Sequence, residues 1–294
     1  MTFLFNFKFT RFKSGNYTLN HGLYNSEEVN DEVQSVLDSC DADNKFCDST
    51  FEIDLPENAD GDSMRLDEEA HFINDGLDAT DIAQGGLGDC WFLSALSSLA
   101  QPLPEDCPLQ VKQIAVERVI QREFNSTEEA RAAGVYRFKF FRLGEWVDIV
   151  VDDQLPNKKR AAPSETGEWW VPLTEKAYAK FNGSYDRIIG GNTCWAMTDL
   201  TGGISVEMKN LNYDNALVVQ GKADEKGLDL YNIFRRIQHR AVVCTSNLGD
   251  GGNETIVRGL VCGHAYSLLQ IDEVELEDES FQRLGIVCLV LQVH

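Results

Sequence analysis

A run of glycines delivers a cysteine to the first turn of an apolar helix: Gln84-Gly85-Gly86-Leu87-Gly88-Asp89-Cys90-Trp91-Phe92-Leu93. Phe92, Ala95, Leu96 and Leu99 fall at i, i+3, i+4 and i+7, so the helix has one face to bury in a core. At its start the free backbone N–H groups and the helix dipole favour an anion. A thiolate is such an anion. The position is therefore expected to depress the Cys90 thiol pKa and make the residue a nucleophile. Gln84, six residues earlier, is placed to donate a side-chain N–H to a developing oxyanion. A lone cysteine at a helix start is ordinarily just a buried residue; the surrounding motif is what argues for chemistry.

That motif resembles the active-site segment of the calpain cysteine proteases. Gly263-His264-Ala265-Tyr266-Ser267 resembles the strand that carries the catalytic histidine of the same family. Between them, Gly144-Glu145-Trp146-Val147, Val150-Val151-Asp152-Asp153-Gln154-Leu155-Pro156, Glu168-Trp169-Trp170, Glu175-Lys176-Ala177-Tyr178-Ala179-Lys180 and Asp199-Leu200-Thr201-Gly202-Gly203 are similar to calpain core segments in the same order. Such collinear matches are far more specific than one short motif. The resemblance spans residues 72–284 and implies an α+β, papain-like protease core. A helical half brings the thiol, a β-rich half brings the imidazole, and the cleft lies between them.

The resemblance also implies roles. Cys90 is the nucleophile, and His264 takes the thiol proton and later protonates the leaving amine. Gly191 and Gly263 match positions where the backbone approaches a substrate strand closely. The family's first protease-core calcium site maps onto the carboxylates of Asp81 and Glu168, completed by backbone oxygens of Asn74 and Gly76. Spacing alone shows no calcium site; Asp81 reads equally as a turn cap and Glu168 as a surface carboxylate. Ca2+ as cofactor and protein or peptide substrates follow from the resemblance only.

Composition narrows the partners. The 294-residue chain carries a formal net charge of −22, which argues against nucleic acid and disfavours an anionic membrane surface. No run of about 18 apolar residues exists, so no integral membrane association is expected. Residues 1–12 lack the unbroken apolar stretch of a signal peptide. The eight cysteines include no Cys-x-x-Cys pair. Their scatter fits reduced thiols in a cytoplasmic protein better than a zinc site or a disulfide framework.

Three regions are expected: a poorly ordered acidic and polar segment at 1–45, a thiol-bearing subdomain at 46–189, and a histidine-bearing subdomain at 190–294. In the first region only 26–37 reads as a short amphipathic helix, through Val29, Val33 and Leu37. In the second, Tyr136, Phe138 and Phe140 alternate with charged residues, Gly144-Glu145 turns, and 146–151 returns as a strand that Asp152-Asp153 ends. Residues 174–181 read as a helix closed by Asn182-Gly183. In the third, 228–239 reads as a helix, 241–245 as a strand, 247–253 as a glycine-rich loop, and 259–274 as a strand carrying His264.

One departure from the family stands out. A papain-like triad needs a third residue to orient the imidazole. The resemblance implies an asparagine in an Asn-Pro-Trp segment beyond the histidine, yet no asparagine follows Asn253. The sequence stops before that segment, so the histidine-bearing half is expected to be incomplete. Two readings compete: a calcium-dependent cysteine endopeptidase core, and a truncated, catalytically impaired binding or regulatory protein.

Overall fold

The computed structural model describes residues 2–5, 26–53, 63–67, 69–102, 111–207, 235–237, 241–246, 256–257, 260–261, 263–271, 274–275, 281–282 and 286–289. Seven helices are assigned among them: α1 Ser26–Ser39, α2 Cys90–Ala100, α3 Val111–Ile120, α4 Arg122–Asn125, α5 Glu128–Ala133, α6 Trp170–Asn182 and α7 Thr193–Thr201. The first six strands are β1 Thr2–Phe5, β2 Ser63–Arg65, β3 Val135–Arg142, β4 Glu145–Asp152, β5 Gln154–Pro156 and β6 Ile204–Glu207. The rest are β7 Ala241–Ser246, β8 Ile256–Val257, β9 Leu260–Val261, β10 Ala265–Ile271, β11 Val274–Glu275, β12 Phe281–Gln282 and β13 Ile286–Leu289. The mixed helix and strand content agrees with an α+β protease core.

Helix α2 is the hub. All ten residues from Trp91 to Ala100 are buried, so the helix is enclosed all round rather than on the single face that its periodicity suggests. On one side lies an antiparallel sheet in the order β13-β10-β7-β1-β6. The helix meets it through small polar side chains. Ser267 Oγ on β10 donates to the Ser94 carbonyl (2.8 Å), and Ser98 Oγ lies 3.1 Å from Cys244 Sγ on β7. On the other side are aromatic rings: Phe92 stacks on Tyr178 of α6 with centroids 4.0 Å apart.

The β3–β4 hairpin forms as expected, in unbroken register from Val135↔Asp152 to Arg142↔Glu145. Helix α6 starts four residues before the expected 174. The expected 259–274 strand is divided: β9 and β10 are separate, and His264 sits immediately before β10 rather than within it. The expected helix at 26–37 is present as α1. It buries Val29, Val33 and Val36 against Ala133, Val135 and Val150, so this part of the 1–45 segment is anchored rather than poorly ordered. Strand β1, from the same segment, pairs with both β6 and β7. Of the expected 228–239 helix only 235–237 are described, and they are helical. The loop at 247–253 lies outside the described residues.

Asp152 and Asp153 do more than end a strand. Asp152 is 3 % exposed and pairs with Lys176, which is 1 % exposed. Asp153 is fully buried and pairs with Lys45 at 2.8 Å and with Arg65. Asp48 accepts from Lys180 at 2.7 Å. These ion pairs fasten α6, together with Lys45, Asp48 and Arg65, to the end of β4.

Candidate active site

Cys90 is the first residue of α2 and is half-buried. Across the helix–sheet contact, the backbone amide of Ala265 reaches its thiol. Ala265 follows His264, so the nucleophile meets the start of the histidine strand, as the motif order implies. The expected depression of the thiol pKa is not found. Burial pushes the Cys90 thiol up and the neighbouring Asp89 adds to this, while the amides of Ala265, Trp91 and Cys90 pull it down. The helix start stabilises the thiolate, but the depth of the site costs more. The reason lies in the packing of β10 over α2, which local sequence does not reveal.

His264 is 8 % exposed, and burial lowers its pKa. Its ring stands edge-on to Tyr266 at 5.0 Å. Its Nε2 is buried without a hydrogen-bond partner among the described residues. Gln84 is 4 % exposed, and its Oε1 also lacks a partner. The unsatisfied atom is the acceptor oxygen; donation to an oxyanion would fall to the side-chain nitrogen of the same amide.

The two glycines have different reasons to be there. A Cβ on Gly191 would lie 2.3 Å from Trp91 Cε2, so the close approach seen here is to the indole ring. Trp91 Nε1 in turn donates to the Ile188 carbonyl at 2.8 Å, which fixes the 188–191 segment to α2. Gly263 is exposed with φ +71°, a backbone that favours glycine, and it turns the chain into His264. Trp195 and Ile189 are exposed apolar side chains in the same region, 63 % and 51 % accessible. Neither was singled out from sequence; isolated exposed apolar residues give no periodic signal.

Asp81 and Glu168 come together with the 74–75 backbone. Asp81 is 8 % exposed and Glu168 is fully buried, so the latter is no surface carboxylate. Glu168 Oε1 accepts from the Asn74 and Asp75 amides. Asp81 Oδ2 accepts from the Asp78 amide at 2.9 Å and from Trp170 Nε1 at 3.2 Å, so the turn-cap reading of Asp81 holds as well. Burial first, and then the Glu168 charge, push the Asp81 carboxyl up to about 6. A buried carboxyl held up beside a second carboxylate suits a cation, whose positive charge would offset both. Gly76 lies in the same loop, with no heavy atom within 4 Å of where a Cβ would be. Among the described residues no group of three or more His, Cys, Asp or Glu could hold a metal ion.

A second buried acid pair was not read from sequence. Asp89 and Glu175 are both fully buried, and their carboxyls interact directly. Burial pushes Asp89 up to about 7, and burial together with the Asp89 charge pushes Glu175 well above the usual range.

Comparison with known proteins agrees with the geometry. The sequence model of the calpain family cysteine proteases matches residues 62–287. Calpain-8 of Rattus norvegicus is 36% identical over 211 residues, covering 69% of this chain and 26% of that protein. The calpain-2 catalytic subunit of Gallus gallus is 36% identical over 221 residues, covering 72% and 28%. Calpain clp-4 of Caenorhabditis elegans is 33% identical over 219 residues, covering 72% and 28%. The chain thus spans about a quarter of the length of these relatives. The match takes in both Cys90 and His264, and with the meeting of α2 and β10 it shows that this chain belongs to the calpain family of cysteine proteases.

Proposed function

We propose that this chain is the catalytic core of a cysteine endopeptidase that hydrolyses peptide bonds of protein substrates. The observation that carries this is the meeting of Cys90, at the start of α2, with the Ala265 amide beside His264. Cys90 Sγ attacks the scissile carbonyl as His264 takes the thiol proton. The amide of Cys90 and the side chain of Gln84 face the developing oxyanion. The tetrahedral intermediate collapses to a thioester as His264 gives its proton to the leaving amine. Water, deprotonated by the same imidazole, then releases the acid and restores the thiol. The backbones of Gly191 and Gly263 flank the peptide. Free cysteines among the described residues and the acidic surface fit a cytoplasmic setting, and no helix there is long and apolar enough to cross a membrane.

The buried and unpartnered Nε2 of His264 favours a second reading: a calpain-like binding or regulatory protein that keeps the cleft with impaired turnover. Digestion of an unfolded protein substrate, with Cys90→Ala as the blank, separates the two. Cleavage above the blank supports the endopeptidase. Cleavage equal to the blank supports the binding protein.

Calcium dependence belongs to the same proposal. Asp81 and Glu168 would hold the ion, with backbone oxygens of Asn74 and Gly76 completing a set of hard ligands. A bound ion would supply positive charge to offset these two buried carboxylates. Calorimetry is expected to show calcium binding that weakens at least about tenfold, some 1.4 kcal/mol, in both Asp81→Ala and Glu168→Ala. Unchanged affinity in both variants would leave only diffuse attraction to an acidic surface.

A further inference from the structure

Aspartate is among the preferred residues for capping a helix N-terminus, because its carboxylate accepts from the amides of the first turn. Asp89 stands in that position before α2, yet its side chain makes no capping hydrogen bond. Only its backbone carbonyl engages the first turn, accepting from the amides of Phe92 (2.8 Å) and Leu93 (3.1 Å). The carboxyl is turned inward and is fully buried. Neither oxygen makes a well-formed hydrogen bond; among the described backbone amides only that of Asp89 itself lies near enough to favour the charged form.

Glu175 faces it. This carboxyl is also fully buried. Its Oε2 accepts from the Ala161 amide at 2.7 Å, while its Oε1 has no donor. Three acceptor oxygens of two adjoining acids thus lack a well-formed hydrogen bond, at a depth where each would carry a penalty. A single proton between the two carboxyls supplies the missing donor. The surrounding charges point to the same count. Arg160 lies within electrostatic range of Glu175 but donates to the Ala161 carbonyl and to Met64 Sδ, not to either acid. The Tyr185 hydroxyl, buried and unpartnered, also faces the pair and is held in its neutral form by burial and by the Glu175 charge. The Cys90 thiol is the remaining titratable neighbour of Asp89, and Asp152 acts on Tyr185 from the end of β4. One guanidinium, two carboxyls and one proton sum to zero net charge, with the two carboxyls fully buried and Arg160 partly so.

We propose that Asp89 and Glu175 share one proton, and that this pair acts as a positioning device: it holds the Asp89 carboxyl away from the N-terminal amides of α2 and leaves them free for the Cys90 thiolate and the substrate oxyanion. Glu175 acts through Asp89 and touches no substrate. The proposal deepens the peptidase reading, but its tests need no peptide turnover, so failure of one is distinct from failure of the other.

Two measurements on the intact chain decide it. In infrared spectra at neutral pH, protein labelled with carbon-13 glutamate should show the carbonyl stretch of a protonated glutamic acid, displaced by the isotope. The band should vanish in Glu175→Gln and in Asp89→Asn, because one remaining acid beside Arg160 can ionise. Its absence from the wild-type protein overturns the proposal even if neither variant folds, and so does its survival in both variants. The second measurement is the pH profile of Cys90 alkylation by iodoacetamide. Asp89→Asn removes the negative charge beside the thiol and should move the midpoint down by about one pH unit. Glu175→Gln leaves a full Asp89 carboxylate there and should not lower it. A purely structural pair would move both midpoints in the same direction, and that result also overturns the proposal.

Discussion

A peptidyl epoxide is expected to modify Cys90 at least about a hundredfold faster than any other cysteine of the chain, and His264→Ala to slow that reaction by a factor of about 10²–10⁴. The contrast follows from position. Cys244, on β7, is buried against α2, and burial pushes its thiol up to about 12. Cys47 is exposed, but no helix starts at it to gather amides around a thiolate. Cys90 has three amides around its sulfur, and its thiol is held up by burial. Its reactivity should therefore depend on an imidazole that accepts the proton as attack occurs. Peptide mapping after brief exposure checks the order of labelling. Modification of Cys40, Cys47 or Cys194 before Cys90 would remove the basis for calling Cys90 the nucleophile. Equal rates in the His264→Ala variant would separate the thiol from its proposed base.

The second large effect concerns stability. Lys176→Met should destabilise the protein by about 3–5 kcal/mol, the range seen when one partner of a buried ion pair is removed. The Lys176 ammonium donates to Asp152 Oδ1 and to the carbonyls of Asp152 and Gln154. Burial pulls its pKa down, and the Asp152 carboxylate is first among the groups that hold it up. Without the ammonium, Asp152 keeps only the Asp48 and Gln154 amides as donors. The urea midpoint measures the loss. The double variant Lys176→Met/Asp152→Asn should recover part of it, because no unpaired charge then remains. A midpoint within error of the wild type for Lys176→Met alone would show that the pair contributes nothing net.

The parts of this fold that could be read in the sequence are those whose signals are local. The β3–β4 hairpin is written in alternation around Gly144, and α2 in a glycine-rich turn followed by an apolar run. Cys90 and His264 stood out because several motifs occur in a fixed order. What the sequence hid depends on distant neighbours. Asp152-Asp153 look like strand-ending residues until Lys45, Arg65 and Lys176 are brought to them across 108, 88 and 24 positions. The start of α6 is hidden in the sequence because Trp170 and Val171 carry apolar bulk but no capping residue; Trp169 occupies the cap position without a capping hydrogen bond. Asp89 looked like part of a motif. Only Glu175, on another helix, shows where its carboxyl goes.

The hydroxyl of Ser267 donating to the Ser94 carbonyl joins segments 173 positions apart. Contacts that close such long loops tend to form late in folding. Helix α2 can assemble from its own neighbours well before β10 docks, so the thiol should exist for a time without its imidazole. A chain still folding would then hold the cysteine before the strand beside its proposed base has docked. Strand register adds a second safeguard. A slip of β10 by one residue turns Ser267 and its whole alternating set to the opposite face. The contact that seats β10 on α2 therefore also proofreads how the sheet has been put together.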